Sequence, residues 1–215
     1  MGALRILVCD DHDLMRRGLK ALLEAREGWT VCAEAETGRD AVELATKLRP
    51  DVAVLDITMP QLNGLDAAKR IKKASPHTEI LILSMHYSDE LVRQILDAGL
   101  RGYVIKSDSD RDLVTAVDTL SKHKPFFTPA ARQAMLDQLS KGQPVAEPRE
   151  NKLTSREREI LQLLSEGKSS KEVASSLNLS VKTAETHRSN IMRKLKLHSV
   201  SELVLYAVRN RIVEP

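Results

Sequence analysis

Five side chains able to do chemistry stand at the ends of four short apolar runs. Ile6-Leu7-Val8-Cys9 leads into Asp10-Asp11, Val52-Ala53-Val54-Leu55 into Asp56, Ile80-Leu81-Ile82-Leu83 into Ser84, and Tyr103-Val104-Ile105 into Lys106. In an open parallel sheet, functional groups gather outside the carboxyl ends of the strands. Three carboxylates, a hydroxyl and an ammonium would then share one crevice, a set that can hold Mg²⁺ and move a phosphoryl group. Mg²⁺ takes hard oxygen ligands and keeps several waters. Asp11 and Asp56 are the expected carboxylate ligands, with Asp10 in support and the Thr58 backbone carbonyl as a third protein oxygen. Asp56 is the expected nucleophile, Lys106 the neutralising charge on the equatorial oxygens, and Ser84 a donor to one of them.

Each of these residues has a plainer reading when taken singly. Asp10 or Asp11 alone suits a helix cap or turn, Lys106 a solvated loop charge, and Ser84 a strand-end hydroxyl. Their joint placement at four strand ends is what the plain readings explain poorly. A phosphatase with an aspartate nucleophile would want a second acid two residues on, and that position is Thr58.

The runs must be held by a scaffold. Over residues 4–121 short β-rich stretches alternate with helical patterns at about 13–25, 38–48, 64–74, 88–98 and 110–121. In the first helix Leu14, Leu19, Leu22 and Leu23 recur at helical spacing. Five strands with five helices predict a flavodoxin-like doubly wound α/β sheet. A dinucleotide site would need a glycine-rich turn after the first strand, where Asp-Asp-His stands instead. Residues 122–152, with Lys124-Pro125, Thr128-Pro129 and a polar stretch from Gly142, predict a linker holding a short helix. Residues 153–215 read as a small all-helical unit. Capping boxes are expected at Thr154/Glu157, Ser169/Glu172 and Ser199/Glu202, and a simple cap at Ser180.

Composition narrows the setting. The 215-residue chain carries a net charge of +3, with the basic excess toward its helical end and an acidic front part. That polarity suits a cation or protein in front and nucleic acid behind. No apolar run approaches the length of a membrane span, and the first residues lack a signal-peptide layout. Cys9 and Cys32 read as buried thiols of a reducing cytoplasm, and the six histidines show no metal-ligand spacing. Trp29 reads as a loop residue before the second strand.

Residues 4–121 resemble a response-regulator receiver domain. The resemblance is carried by Asp10-Asp11, by Asp56 within Leu55-Asp56-Ile57-Thr58-Met59-Pro60-Gln61-Leu62-Asn63-Gly64, and by Ser84, Tyr103 and Lys106. It implies that Asp56 accepts a phosphoryl group from a sensor histidine kinase with Mg²⁺. It also implies that Ser84 and Tyr103 form a switch, that Pro60 and Gly64 shape the loop, and that Thr58 and His86 tune dephosphorylation. Slow self-dephosphorylation aside, no enzyme activity is implied.

In the tail, Ser170–Leu177, Asn178-Leu179-Ser180 and Val181–Leu195 form a helix-turn-helix pattern. At ~100° per residue, Ala184, Ile191 and Leu195 share an inward face. Lys182, Glu185, Thr186, Ser189 and Arg193 share the outward one. By periodicity alone a solvated charged face explains this as well as DNA does. The run Leu179–Leu195 and the upstream Leu153–Leu161 closely resemble the LuxR-type helix-turn-helix. That resemblance implies base contacts from Glu185, Thr186 and Ser189, and phosphate contacts from Lys182, Thr183, Asn190 and Arg193. It further implies a homodimer through the last helix, at Val200, Leu203, Val204, Ala207 and Val208. Receiver and tail together resemble the NarL/FixJ class: cytoplasmic, phosphorylation-controlled transcription factors that bind double-stranded DNA, with RNA polymerase a candidate partner. A mobile linker suits release of the DNA-binding unit on phosphorylation.

Overall fold

The apolar runs fold as strands β1 (Leu4–Cys9), β2 (Trp29–Ala35), β3 (Val52–Asp56), β4 (Glu79–Ser84) and β5 (Gly102–Ile105). They belong to a computed structural model that describes residues 3–107, 110–129, 131–133, 153–210 and 212–213. Helices α1 (Asp13–Glu24), α2 (Gly38–Leu48), α3 (Gly64–Ala74), α4 (Asp89–Asp97) and α5 (Asp110–Ser121) connect and follow them. Every residue of β3 and β4 is buried, as strands covered by helices on both faces require. Alternate strand residues serve opposite faces. Ile6, Val8, Val52, Val54, Leu81 and Leu83 pack with Leu19 and Leu23 of α1 and with Leu113, Val117 and Leu120 of α5.

Among the described residues the sheet has six parallel strands, in the order β2-β1-β3-β4-β5-β6, rather than the expected five. The sixth, β6 (Phe126–Phe127), pairs with Gly102 and Tyr103 at the edge. Two residues are too few for any periodicity, and the preceding Lys124-Pro125 reads as a turn. The extra pairing is enforced by the Phe126 amide, which donates to the Arg101 carbonyl at 2.8 Å. Trp29 opens β2 instead of lying in a loop. Leu14 departs from the expected apolar face: it is 86% exposed, because five residues before Leu19 it lies on the other side of α1.

Local capping sets most helix starts. Thr37, Asn63 and Ser88 each accept from the backbone N–H of the third residue of their helix. Most of the expected 122–152 linker, including residues 134–152, lies outside the described residues.

The chain divides into two units, the sheet domain and a helical one. The second contains α6 (Ser155–Ser165), α7 (Ser170–Leu177), α8 (Val181–Leu195) and α9 (Val200–Arg209). Reciprocal capping boxes form at Thr154/Glu157 and Ser169/Glu172. The third expected box is only half made. Ser199 caps the Glu202 amide, but the Glu202 carboxylate takes the amide of His198, one residue earlier. The core joins Ile160, Leu161, Leu164, Val173, Ala184, Ile191, Leu203 and Ala207. Among the described residues no helix is long and apolar enough to cross a membrane.

Candidate phosphoryl and DNA-binding sites

At the carboxyl edge of the sheet, Lys106 extends its ammonium between two acids. Nζ lies 2.8 Å from Asp10 Oδ2 and 3.0 Å from Asp56 Oδ1, with all three side chains 5% exposed or less. Asp10 is also tied by the His12 amide, which donates to Oδ1 at 2.9 Å. Asp11 faces outward and pairs with His12 Nδ1 at 2.9 Å. The ligand atoms of Asp10, Asp11 and His12 lie within 4.8 Å of one another. The structure thus brings Asp10, Asp56 and Lys106 together as expected from the strand ends, and adds His12, which the sequence reading did not single out.

The charges at this edge are unbalanced. Burial, opposed by Lys106 and reinforced by Asp10 and Asp11, pushes the Asp56 carboxyl up to about 7. Burial acts to lower the Lys106 ammonium, but the Asp56 charge and the bonds to Asp10 and Asp56 outweigh it and raise its pKa. A cluster of hard oxygens with surplus negative charge fits a divalent cation of the Mg²⁺ type. It also has a consequence for stability. An acid whose folded-state pKa is raised stabilises the fold below its unfolded pKa, near 4, and that contribution disappears as pH rises through about 7. With a chelator present, Asp56→Asn protein should therefore melt higher than wild type at pH 8. The gap should close by pH 4. An equal gap at both pH values in calorimetry would rule this out.

Two hydroxyls meet on one carbonyl beside the crevice. Ser84 Oγ donates to the His86 carbonyl at 2.8 Å, and Tyr103 OH donates to the same oxygen at 3.3 Å. Tyr103 is completely buried and so already points inward, while the His86 residue is exposed. Thr58 is half-buried in the loop that follows Asp56. That loop returns close to its origin: the Gly64 amide donates to the Ile57 carbonyl at 2.9 Å. A Cβ on Gly64 would lie 2.0 Å from the Asp56 carbonyl oxygen.

In the helical unit, α7 ends on Asn178 in the left-handed region (φ 52°), and Ser180 caps α8 by accepting from the Thr183 amide. This is the expected helix-turn-helix, residue for residue. Ala184 and Ile191 are buried. Lys182, Thr183, Glu185, Thr186, Ser189 and Arg193 are exposed, and Asn190 is half-buried beneath Arg193, whose Nη2 donates to its Oδ1 at 3.0 Å. Lys194 is used differently from its basic neighbour. It binds Glu157 at 2.7 Å and fastens α8 to the start of α6. Sequence periodicity does not separate those two cations. On α9, Leu203 and Ala207 fill the core, which leaves Val200 exposed and Val204 and Val208 half-buried. Leu205, not among the expected dimer residues, is 53% exposed.

Residues 6–118 match the response regulator receiver domain model, and residues 151–207 match the bacterial regulatory proteins of the luxR family. The chain is a response regulator of the NarL/FixJ class. This regulator carries a LuxR-type DNA-binding domain and acts in transcription. It is 32% identical over 211 residues to the response regulator protein VraR of Staphylococcus aureus, covering 98% of this chain and 99% of that one. Among solved structures it is similar to the Salmonella typhimurium RcsB response regulator, with a TM-score of 0.65, 27% identity, and coverage of 98% and 99%. An RcsB–DNA complex matches with a TM-score of 0.59 at 27% identity, covering 95% of this chain and 98% of that one. A LuxR-family regulator from Aurantimonas sp. matches at 31% identity with a TM-score of 0.61, covering 65% of this chain and 99% of its own.

Proposed function

We propose that Asp56 is the phosphoacceptor of this regulator, and that its phosphorylation by a sensor histidine kinase in the cytoplasm controls dimerisation and DNA binding. The observation that carries this reading is the placement of Lys106 between Asp10 and Asp56, at 2.8 and 3.0 Å. An Asp56 oxygen attacks the phosphorus of the kinase phosphohistidine. The new O–P bond forms as the N–P bond breaks, and imidazole leaves. Lys106 neutralises charge gathering on the phosphoryl oxygens. Asp10, Asp11 and Asp56, with the Thr58 carbonyl, would hold Mg²⁺, which when bound supplies further neutralisation of that charge. Ser84 then turns from the His86 carbonyl to a phosphoryl oxygen, and that carbonyl keeps the Tyr103 hydroxyl. The loop before α4 thereby registers the state of Asp56. Thr58 and His86, flanking the crevice, set the access of hydrolytic water and hence the lifetime of the acyl phosphate.

The output side rests on α8. Lys182, Thr183, Asn190 and Arg193 take phosphates, and Glu185, Thr186 and Ser189 face base edges in the major groove. RcsB is known as two dimers bound to two parallel DNAs, which supports a homodimer here, with Val200, Val204 and Val208 on its surface. Leu203 and Ala207 shape that helix from the core side. RNA polymerase is a further candidate partner.

Incubation with a small phosphodonor and Mg²⁺, followed by peptide mapping, should find a hydroxylamine-labile acyl phosphate on Asp56. Label on another residue would sink the assignment. On DNA, Lys182→Ala should lower affinity for all sequences alike and reduce the salt slope by about 1. An unchanged slope in binding titrations would remove Lys182 from the phosphate-contacting set.

A further inference from the structure

Arg16 is a nearly buried cation that the phosphoryl-transfer reading leaves without a task. It stands on the first turns of α1 and is 7% exposed. Burying a guanidinium is costly unless its donors are matched. Here they are. Nη1 donates to the Asp10 backbone carbonyl at 2.8 Å, and Nη2 donates to Asp13 at 3.1 Å and to Glu36 at 2.9 Å. Glu34 lies 3.8 Å from Nε. The fork therefore joins the end of β1, the start of α1 and the end of β2.

The Asp10 carbonyl is the informative contact. Asp10 lies just past the last residue of β1, and its amide still reaches the neighbouring strand, donating to the Ala35 carbonyl at 3.2 Å. Its carboxylate is clamped by Lys106 and by the His12 amide. Arg16 supplies the remaining restraint from the helix side. With amide, carbonyl and carboxylate all engaged, the peptide between Asp10 and Asp11 has one orientation. Asp10 then faces the crevice, and Asp11 emerges at its mouth.

We propose that Arg16 is a positioning residue for the acid pair: its fork fixes the Asp10–Asp11 peptide in the orientation that binds the divalent cation. This rests on the reading of Asp10, Asp11 and Asp56 as the cation-binding acids. Residues that orient metal ligands typically cost about 10–100-fold in metal affinity when lost. Simple electrostatics predicts the reverse sign here, because deleting a cation beside three acids should tighten Mg²⁺. Lysine keeps the charge but presents a point donor, which cannot span Asp10, Asp13 and Glu36 as the planar fork does.

Mg²⁺ binding to the full chain should be measured calorimetrically for wild type, Arg16→Ala, Arg16→Lys and Lys20→Ala, with thermal melts run beside it. Lys20 pairs with Glu34 at 2.7 Å and is a neighbouring cation with no contact to Asp10. The expected result is at least tenfold weaker binding for both Arg16 variants and near-wild-type binding for Lys20→Ala. If Arg16→Ala fails to fold, Arg16→Lys decides. Unchanged or tighter binding in a folded Arg16 variant would overturn the proposal, as would an equal loss in Lys20→Ala. If wild type itself bound no Mg²⁺, the cation reading would fail first, and the proposal with it.

Discussion

In Asp56→Asn protein, a small phosphodonor with Mg²⁺ should leave the intact mass unchanged, whereas wild type should gain one phosphoryl group. The loss is expected to be complete rather than graded. Asparagine nearly preserves the shape of the side chain, but its amide is not a nucleophile toward phosphorus. The surrounding acids offer no substitute. Asp10 is committed to Lys106 and to the His12 amide, and Asp11 faces outward against His12. Protein at risk of misfolding would confuse the test, but this variant removes a carboxyl that burial pushes up to about 7. It should fold at least as well as wild type at neutral pH. Stoichiometric label on the variant would show that another residue accepts the group.

Gly64→Ala should be the most damaging small substitution near the site. The added methyl would lie 2.0 Å from the Asp56 carbonyl oxygen and 2.9 Å from its carbon. Neither neighbour is a flexible side-chain end. The Gly64 amide is also anchored on the Ile57 carbonyl, so α3 can retreat only by breaking that bond or by displacing the end of β3. Overpacking of this kind costs about 3 kcal/mol. Displacing Asp56 by roughly 1 Å should slow phosphorylation about 100-fold. Gly18→Ala is the control, because a Cβ there meets nothing within 4 Å. In the middle of α1 it should stabilise by about 0.5–1 kcal/mol. Similar melting temperatures for the two variants would refute the packing argument.

The contrast between these glycines shows what a sequence conveys and what it withholds. Gly64 was expected to shape the loop after Asp56 only through the resemblance to receiver domains. The 2.0 Å approach was not, since it depends on how α3 docks against β3. The acids and Lys106 were legible because strand ends in a parallel sheet share an edge. Their convergence follows from topology, and the distances only sharpen it. The helix-turn-helix was legible for a local reason: Ser169 and Ser180 cap helix starts and Asn178 a helix end, by chemistry that acts within a few residues.

Long-range partnerships were the part that escaped. Arg16 reads as one more charge on an amphipathic helix until β2 brings Glu34 and Glu36 to it. Lys194 and Arg193 are adjacent and equally basic, yet only Lys194 reaches Glu157. Leu203 and Ala207 share an apolar stripe with Val200, and only packing against α6–α8 separates core from surface. Phe126–Phe127 is too short to announce a strand. In each case the deciding neighbour is distant in sequence.

If Asp56 is the phosphoacceptor, its state should set the DNA-binding and oligomeric state of the whole chain. The most direct test combines DNA selected from a random pool with sedimentation of the same samples. Wild type and Asp56→Asn are compared with and without beryllofluoride and Mg²⁺. Wild type should shift toward dimers and bind the selected sites more tightly when beryllofluoride is added, and Asp56→Asn should not respond. Equal affinity and equal dimerisation in all four samples would contradict the claim.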